Sequence, residues 1–520
     1  MKGNVVLTLV LSPIEASSSD AIKEAVARQL RLPLHSILAV RILKRSVDAR
    51  QKQIKVLLTV EPVLTEEQLS LPPYPEPVFQ DVRNSGKRVV IVGAGPAGLF
   101  AALTLLEHGI LPILLERGKD VSSRKRDIAQ INRNICLPEE SNYCFGEGGA
   151  GTFSDGKLFS RSKKRGDMQR VLDLFHYFGA DEQIRYETHA HIGSEKLPAI
   201  IQHIRQTIIE YGGQIMFSTT VKHLLIDNAK VAGVETTDGT KIKCDAVVLA
   251  IGHSAHDTYR SLSEQKVLLE NKGFAMGVRV EHPQPLIDTL LYHGSPNREY
   301  LPAANYSLVT QVGGRGVYSF CMCPGGHIVP AATTEGTCVV NGMSTSKRNS
   351  PYANSGIVVE IRPEDIPFRG VLGGLDYQHY LESLAYQNGG SVVVAPAQRL
   401  GDFVAGKASG TLPKCSYIPG CNPSRLDQWL PDAIGNRLRQ AFKDFDRKYH
   451  GFLTNDAMIL GVESRTSSAI RIPRDGLTRQ HTEVEMLYPC GEGAGYAGGI
   501  TSSALDGIIT GKAVAQKLSK

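Results

Sequence analysis

The fold is decided by the stretch Arg88-Val-Val-Ile-Val-Gly93-Ala-Gly95-Pro-Ala-Gly98, which leads into an apolar helical pattern that ends at Gly109. Its four consecutive β-branched residues predict a strand that is buried on both faces. The glycines suit, in order, a tight turn, a close approach of the backbone to a phosphate, and a helix packed against the strand. Residues 111–115 predict a second buried strand, so the stretch forms a β-α-β unit.

An acidic residue, Glu116, ends this unit 18 residues after Gly98 (116 − 98). A carboxylate at this place can accept hydrogen bonds from both hydroxyls of an adenosine ribose, and it would repel a 2′-phosphate. The helix that begins near Pro96 and Ala97 offers free N–H groups and the positive end of its dipole to a pyrophosphate. Together these features predict a dinucleotide-binding domain. A chance glycine turn in another α/β protein is the alternative.

The composition is that of a globular protein with two or three domains: 520 residues, 42% hydrophobic and 21% charged. A net charge of +6 is mild for this length and does not by itself indicate a nucleic-acid partner. Nine scattered cysteines do not form the pattern of a disulfide framework, so a reducing compartment, the cytoplasm, is expected. No apolar run approaches the length of a transmembrane helix.

Residues 1–70 predict a small α+β domain with the element order β-α-β-β, which suggests a ferredoxin-like unit. Its strands are expected at 5–11, 37–43 and 54–60, and Ser19 is expected to cap its helix. A Pro-rich linker follows at 71–87. The unit carries a basic cluster that could bind an anionic partner or form a solvated hairpin: Arg41, Lys44, Arg45, Arg50 and Lys52.

A second glycine-rich segment runs from Phe145 to Lys157 (FGEGGAGTFSDGK). Glycines mixed with small polar residues predict backbone that lies directly against a flat or phosphorylated ligand; a flexible loop is the alternative. The two phenylalanines of the segment argue against an exposed linker. The candidate contacts of this segment and of the basic stretch before it are Arg117, Arg124, Gly149, Gly151, Thr152 and Asp155.

The order of elements after this segment also suits a dinucleotide domain. A helix is expected at 197–211, a β-meander at 221–243, and a buried strand that ends at Gly252, where ligands bind at the carboxyl edge of such a sheet. Residues 259–451 change character and predict an inserted substrate domain. No second glycine fingerprint occurs there, so a nicotinamide cofactor, if used, must dock on another surface.

The end of the chain returns to a cofactor-binding pattern, Gly491-Glu492-Gly-Ala-Gly-Tyr-Ala-Gly498-Gly499-Ile500, before a final helix. An acid after a strand and a glycine can hydrogen-bond to a ribityl hydroxyl. The glycines before the helix let N–H groups reach a flavin carbonyl, and the helix dipole would stabilise negative charge on a reduced ring.

At these places the sequence resembles the FAD-dependent flavoproteins with the glutathione-reductase-type FAD fold. It most closely resembles a bacterial family of FAD-dependent dehydrogenases, or NAD(P)/FAD-dependent oxidoreductases, whose substrate is generally unassigned. The resemblance covers nearly the whole chain, with its longest motifs at 44–50, 145–157, 320–326, 461–468 and 491–507. The sequence departs from it at Ile251 and Ser464, where threonine is common.

The resemblance implies noncovalent FAD and assigns contacts to it. Gly93, Gly95 and Gly98 should hold the pyrophosphate, and Glu116 the adenosine ribose. Val221 should meet the adenine through its backbone. The ribityl chain and flavin ring are assigned to Glu492, Gly499 and Ile500.

The predicted fold is therefore α/β: a Rossmann-like FAD-binding domain (88–258 plus 452–520) with an inserted mixed β/α substrate domain and a small N-terminal α+β domain. The leading hypothesis is an FAD-dependent oxidoreductase that transfers a hydride between the flavin and a small organic substrate, with NAD(P)H as a candidate partner. The alternatives are an FAD-dependent RNA-modifying protein and a flavin-binding regulator or electron carrier.

Three residues are the candidates for catalysis. Cys323, with Cys321, could form a redox pair, although ordinary buried cysteines also explain the pattern. His327 could donate a proton, or be an unremarkable loop histidine. Arg465 could clamp a substrate carboxylate or form a structural ion pair with Glu463. No ligand spacing for zinc or an iron–sulfur cluster is present.

Overall fold

The computed structural model describes residues 5–70, 74–159, 166–390 and 393–520. The strands within these ranges are β1 (Leu7–Leu11), β2 (Ala39–Asp48), β3 (Lys55–Val63), β4 (Arg88–Val92), β5 (Leu111–Leu115), β6 (Gln214–Met216), β7 (Val221–Asp227), β8 (Lys230–Thr236), β9 (Lys241–Lys243), β10 (Ala246–Leu249), β11 (Glu270–Asn271), β12 (Phe274–Pro283), β13 (Val309–Val312), β14 (Arg315–Cys323), β15 (Gly326–Pro330), β16 (Val340–Ser344), β17 (Tyr352–Ile361), β18 (Ala395–Arg399), β19 (Cys421–Pro423), β20 (Met458–Glu463), β21 (Ile470–Arg471) and β22 (Leu487–Pro489).

The α-helices of the same ranges are α1 (Ser19–Leu30), α2 (Glu66–Ser70), α3 (Pro96–Glu107), α4 (Val121–Asn132), α5 (Met168–Tyr177), α6 (Leu197–Glu210), α7 (His256–Glu264), α8 (Gln284–Tyr292), α9 (Gly373–Gly389), α10 (Leu400–Ala405), α11 (Leu426–Trp429), α12 (Asp432–Lys448) and α13 (Ile500–Leu518). None of the described helices is long and apolar enough to cross a membrane.

The N-terminal unit is a three-stranded antiparallel sheet in the order β1-β3-β2, with α1 packed on it. Its elements follow the predicted β-α-β-β order, and the short helix α2 comes after β3. Among the described residues no fourth strand joins this sheet, so the final strand of the expected ferredoxin-like β-α-β-β-α-β unit is not seen. The N-cap of α1 is Ser18, whose side chain accepts from the N–H of Ala21, and not the predicted Ser19. Pro72 and Pro73 of the predicted linker lie outside the described residues.

Three side chains of the predicted basic cluster pair with acids, two of them within the N-terminal unit. Arg41 lies 3.7 Å from Glu61, Arg45 lies 3.5 Å from Glu187, and Arg50 lies 2.6 Å from Asp48 (nitrogen to oxygen). These pairs reduce the positive charge that the cluster can offer to an anion, and binding of RNA stays a prediction.

The first large domain has the predicted parallel sheet, in the strand order β22-β10-β4-β5-β6. The apolar residues of β4 and β5 are buried on both sides because helices cover the sheet. The last strand, β22, comes from the end of the chain and pairs with β10, which pairs with β4. The sheet therefore confirms a mixed α/β fold in which the early glycine motif and the terminal motif lie at the same edge.

Helices α3 and α13 pack closely because small residues line their contact. A Cβ placed on Gly507 would lie 2.2 Å from the carbonyl oxygen of Ala97, and one placed on Gly511 would lie 2.9 Å from the Cβ of Thr104. Any larger side chain at Gly507 would force the helices apart. This contact fixes the first turns of α3 against the middle of α13.

The second domain is built on a seven-stranded sheet in the order β13-β14-β17-β12-β20-β18-β19, with all pairs antiparallel except β18 with β19. Strand β20 pairs with β12 and β18. The predicted boundary at 452 is therefore wrong, because the chain completes the second sheet before it returns to the first domain. Strands β7, β8 and β9 form the predicted meander.

Candidate functional site

Three glycine-rich segments meet at the carboxyl edge of the parallel sheet. A Cβ placed on Gly149 would lie 3.1 Å from the Cα of Gly95, which joins the segment 145–157 to the turn after β4. A Cβ on Gly493 would lie 2.5 Å from the carbonyl oxygen of Gly252, which joins the terminal segment to the end of β10. Only glycine permits these approaches. Together they form a groove lined by backbone.

The groove has the room and the donors that a dinucleotide needs. A Cβ on Gly252, Gly498 or Gly499 would meet no atom within 4 Å, so open space lies in front of all three. Helices α3 and α13 begin after Gly95 and Gly499, and no side chain in the described part of the chain caps either N-terminus. Their first N–H groups therefore stay available for a pyrophosphate and a flavin carbonyl. The residues present fit FAD.

The predicted helix contacts lie in this groove or beside it. Pro96 is the first residue of α3, and Ala97 lies next to it, where its methyl group would meet a Cβ on Gly491 at 2.7 Å. Gly98 packs on the turn, since a Cβ there would lie 2.0 Å from the carbonyl oxygen of Gly93. Ile500 approaches the segment 145–157, because a Cβ on Gly151 would lie 3.2 Å from its side chain.

Glu116 joins the first glycine turn to the second glycine segment. Its buried carboxylate accepts hydrogen bonds from the N–H groups of Ala94, Gly118 and Gly146, each at 2.9 Å. These bonds fix the backbone on both sides of the groove. Contact between Glu116 and a ribose stays a prediction.

Arg124 holds the beginning of the second glycine segment through hydrogen bonds to its backbone. It is fully buried, and its guanidinium donates to the carbonyl oxygens of Asn142 at 2.8 Å, Tyr143 at 3.0 Å and Glu147 at 2.8 Å. Burial lowers the pKa of Arg124 to about 10. In this arrangement Arg124 positions the backbone of 142–147, and its predicted contact with the cofactor remains to be tested.

Arg117 bridges two acidic side chains. It lies 2.6 Å from Glu140 and 2.8 Å from Asp257, and its guanidinium stacks 4.3 Å from the ring centre of Phe145. It therefore holds α7 against the glycine segment. Its predicted contact with the cofactor stays a prediction, as does that of Val221, which pairs with Thr236 in the meander.

Thr152 and Asp155 are buried and have protein partners. The Thr152 hydroxyl donates to the carbonyl oxygen of Glu147 at 2.7 Å. Asp155 lies 3.0 Å from Lys157 and 2.9 Å from Arg348. Burial alone would raise the pKa of Asp155, but the two cations outweigh it and lower the pKa to about 2.

His253, which the sequence pattern did not single out, faces the predicted flavin acid Glu492. Its Nδ1 lies 3.6 Å from a carboxylate oxygen of Glu492, and its Nε2 lies 3.1 Å from the carbonyl oxygen of Arg465. His253 therefore connects the groove to the second domain.

A partly buried cluster of thiols and cations lies where the glycine segment meets the second domain. The Nζ of Lys157 lies 3.2 Å from the Sγ of Cys323 and 3.6 Å from the Sγ of Cys321. Arg279 donates to Glu463 at 2.6 Å and to the carbonyl oxygen of Cys321 at 2.7 Å. Neither Lys157 nor Arg279 was predicted as a site residue, because nothing in a strand pattern marks which partner a side chain will meet.

Both thiols reach Lys157 because β14 is irregular. Its register with β17 shifts between Phe320 and Cys323, and Cys321 has a φ of +46°, a left-handed conformation that is uncommon for cysteine. In a regular strand, two residues that flank a third share one face. Here the bulge, and not regular alternation, aims the two sulfurs at one ammonium.

The cluster favours a thiolate at Cys321. A hydrogen bond from the Cys323 thiol lowers the pKa of Cys321 well below its usual value, and the positive charges of Lys157 and Arg279 lower it further. Burial acts in the opposite direction but is outweighed. Burial and the hydrogen bond with Cys321 raise the pKa of Cys323. Burial also raises the pKa of Glu463 to about 7, although Arg279 opposes this.

Arg465 does not pair with Glu463, which was the structural alternative drawn from the sequence. Its guanidinium makes two hydrogen bonds of 3.0 Å to Glu382 and one of 2.8 Å to the hydroxyl of Thr333. Glu463 pairs with Arg279 instead. Since most of its donors point into the protein, Arg465 braces α9 against the turn after β20, and a catalytic role stays a prediction.

His327 is half-buried in β15, and no described residue is seen to hydrogen-bond to its ring. Its backbone pairs with Met343 of β16. Burial lowers the pKa of His327, so the ring is neutral near pH 7. A role as proton donor remains a prediction.

A separate cavity of about 220 Å³ lies in the second domain, away from the glycine segments. Its lining includes Glu281, Tyr352, Pro413, Lys414 and Met458. Burial raises the pKa of Glu281 to about 8, so this carboxyl group is protonated at neutral pH.

Comparison with known proteins also indicates FAD as the ligand of the groove. An FAD-binding domain model matches residues 87–133, a model of the C-terminal domain of FAD-dependent proteins matches 273–466, and a domain of unknown function matches 4–62. An uncharacterised protein of Clostridium beijerinckii is 40% identical over 515 residues, which cover 96% of each chain. The cofactor of this chain is FAD.

Solved flavoprotein structures resemble this chain only weakly, both in sequence identity and in TM-score. The flavin-dependent brominase Bmp2 is 13% identical, with 83% of this chain and 79% of that chain covered and a TM-score of 0.36. CtdE in complex with FAD is 11% identical, with 83% and 89% covered and a TM-score of 0.33. These values are too low to assign a reaction, and the glutathione-reductase-type fold stays a prediction.

Proposed function

Because this chain belongs to the same family as the Clostridium beijerinckii protein and binds FAD, we propose that it is an FAD-dependent oxidoreductase that acts on a small organic molecule. NAD(P)H is the proposed electron donor. The observation that carries the proposal is the Lys157–Cys321–Cys323 cluster, in which one ammonium contacts two thiols next to the groove.

The cluster is tied to the flavin end of the groove through the backbone. The hydroxyl of Thr501, in the first turn of α13, donates to the carbonyl oxygen of Leu158 at 2.9 Å. Leu158 directly follows Lys157, so the ammonium that contacts both thiols belongs to the segment held against the N-terminus of α13. A substrate at this junction would lie between the groove and the thiols.

Bound FAD would supply hydride transfer, and the protein would take up the proton that the substrate loses. Lys157 stabilises negative charge at the Sγ of Cys321, which can therefore accept a proton from a substrate. The Sγ of Cys323 lies 3.2 Å from the Nζ of Lys157 and 3.3 Å from the carbonyl oxygen of Cys321. Arg279 and Glu463 fix the bulge that carries both sulfurs.

Anaerobic titration of the purified protein with NADH and then NADPH tests the proposal. We expect an absorbance band of bound flavin that is bleached by one of the two, with release of FAD on denaturation. Bleaching by dithionite but by neither nucleotide would contradict NAD(P)H as the donor. A fully loaded protein that exchanges single electrons rapidly and turns over no small molecule would favour an electron carrier.

Replacing Lys157 with methionine should raise the pKa of Cys321, because the thiolate loses the ammonium that lies 3.6 Å from its sulfur. We expect alkylation of Cys321 by iodoacetamide at pH 7 to slow about tenfold or more, since the thiolate is the nucleophile. Mass spectrometry of the labelled peptide against pH measures this.

The matched control for Lys157→Met is Lys196→Met, which removes a surface ammonium that pairs with Asp181 at 2.5 Å. It should leave the rate of Cys321 alkylation unchanged. If both variants react at the wild-type rate over the whole pH range, Lys157 does not activate the thiol and the proposed proton acceptor is wrong.

A further inference from the structure

A second pair of cysteines lies far along the chain from the thiols of the proposed site. The Sγ atoms of Cys415 and Cys421 are 3.7 Å apart, and both side chains are half-buried. Cys421 begins β19, the edge strand of the seven-stranded sheet, and Cys415 lies in the loop before it. Nothing in the proposed oxidoreductase mechanism uses these thiols.

We infer that Cys415 and Cys421 form a reversible intramolecular disulfide when the protein meets a low-molecular-weight disulfide such as oxidised glutathione. The sulfurs need to approach by about 1.7 Å to reach the S–S bond length of about 2.05 Å. The loop between them can supply this movement. Ile418 is 71% exposed, and Gly420 has a φ of +99° that glycine adopts without strain.

The two thiols differ in a way that suits exchange. Two hydrogen bonds, one from the Cys421 thiol and one from the N–H of Tyr417, lower the pKa of Cys415 to about 7, although burial opposes them. The hydrogen bond that Cys421 makes to Cys415 raises the pKa of Cys421, and burial raises it further. Cys415 is therefore the attacking thiolate, and Cys421 is the resolving thiol.

The exchange balances without any other reactant. The Cys415 thiolate attacks one sulfur of the small disulfide, the S–S bond of the reagent breaks, and one small thiolate leaves and takes up a proton. The Cys421 sulfur then attacks Cys415, the mixed disulfide breaks, and the second small thiolate takes the proton that Cys421 loses. Two protein thiols are oxidised by two electrons, and one small disulfide is reduced to two thiols.

The disulfide would act on a loop that other contacts already hold at the cavity wall. Ser416, next to Cys415, donates from its N–H to Glu281 at 2.8 Å and accepts from the N–H of Ile328 at 2.8 Å. On the other side of Cys415, Lys414 lines the cavity. Oxidation would therefore link the edge strand β19 to one wall of the cavity.

Proteolysis separates this pair from every other cysteine. Trypsin cleaves after Lys and Arg, so it releases residues 415–425 as one peptide that contains Cys415 and Cys421 alone. The FAD-loaded full-length protein is incubated with oxidised glutathione, alkylated with iodoacetamide without reduction, and digested. We expect this peptide to lose two hydrogens and to carry no label, and dithiothreitol to restore both labels.

Two cysteine variants test which thiol attacks the small disulfide and which one resolves the mixed disulfide. Cys421→Ser should leave one glutathione on Cys415, because no thiol remains to resolve the mixed disulfide, whereas Cys136→Ser should leave the 415–425 disulfide intact. Cys136 is exposed and reports that the oxidant was active. If Cys136 becomes glutathionylated while the 415–425 peptide carries two labels, the inference is overturned. Bleaching of the flavin by NAD(P)H is independent of this result, so the proposed function and the inference fail separately.

Discussion

Replacing Arg465 with methionine will lower the free energy of unfolding by about 3–5 kcal/mol, because it leaves the carboxylate of Glu382 buried without a cation. Glu382 is fully buried, and Arg465 supplies two of its hydrogen bonds. Burial alone would raise the pKa of Glu382, but Arg465 outweighs it and keeps the pKa below 4.5. Urea unfolding at saturating FAD, monitored by circular dichroism, measures the loss.

The pH dependence has a definite sign. A lowered carboxyl pKa stabilises the folded state above the unfolded value near 4.5, and this stabilisation is lost as the pH falls through the folded value. The deficit of Arg465→Met should therefore shrink in acid, where Glu382 is protonated in both states. The double variant Glu382→Leu with Arg465→Met should recover most of the stability, since no unpaired charge remains.

The control is Arg471→Met, which removes an exposed arginine that lies 3.9 Å from Glu270. It should change the free energy of unfolding by less than about 1 kcal/mol. An Arg465→Met protein as stable as the wild type, with a raised KM for its substrate, would instead show that Arg465 clamps a substrate.

The groove was predictable from sequence because its physics is local. A buried strand, a glycine turn and a helix N-terminus are adjacent in the chain, so the pattern around Gly95 predicts the geometry directly. The terminal motif near Glu492 has the same local form, and parallel-sheet topology places both motifs at one edge. Strand β10 lies between the two motifs at this edge, and the sequence also indicated Gly252, which follows the strand.

The buried ion pairs were not predictable because they join residues far apart in the chain. Glu463 and Arg465 are neighbours in sequence, yet one pairs with Arg279 and the other with Glu382. The same reason explains the misplaced domain boundary: β20 looks like any buried strand, and only its pairing partners assign it to the second sheet. The bulge at Cys321 depends on pairing with β17 and leaves no periodic signal.

Replacing Gly95 with alanine should weaken FAD binding about tenfold or more, equivalent to about 1.4 kcal/mol, without unfolding the protein. The φ of Gly95 is −78°, so alanine adopts it without strain, and the added Cβ would lie 3.8 Å from the Cα of Gly149, an ordinary contact. The methyl group instead enters the space through which backbone approaches the pyrophosphate. Titration of the apoprotein with FAD, followed by flavin fluorescence, measures the affinity.

Two other glycines separate this effect from general damage. Gly86 lies outside the groove, and a methyl group added there would meet no atom of the described residues within 4 Å. The FAD affinity of Gly86→Ala should therefore stay at the wild-type value. Gly98→Ala would place a Cβ 2.0 Å from the carbonyl oxygen of Gly93, so it should lower the thermal stability of the apoprotein itself. If Gly95→Ala binds FAD as tightly as Gly86→Ala, the pyrophosphate does not lie against this turn, and the assignment of the groove to FAD fails at its centre.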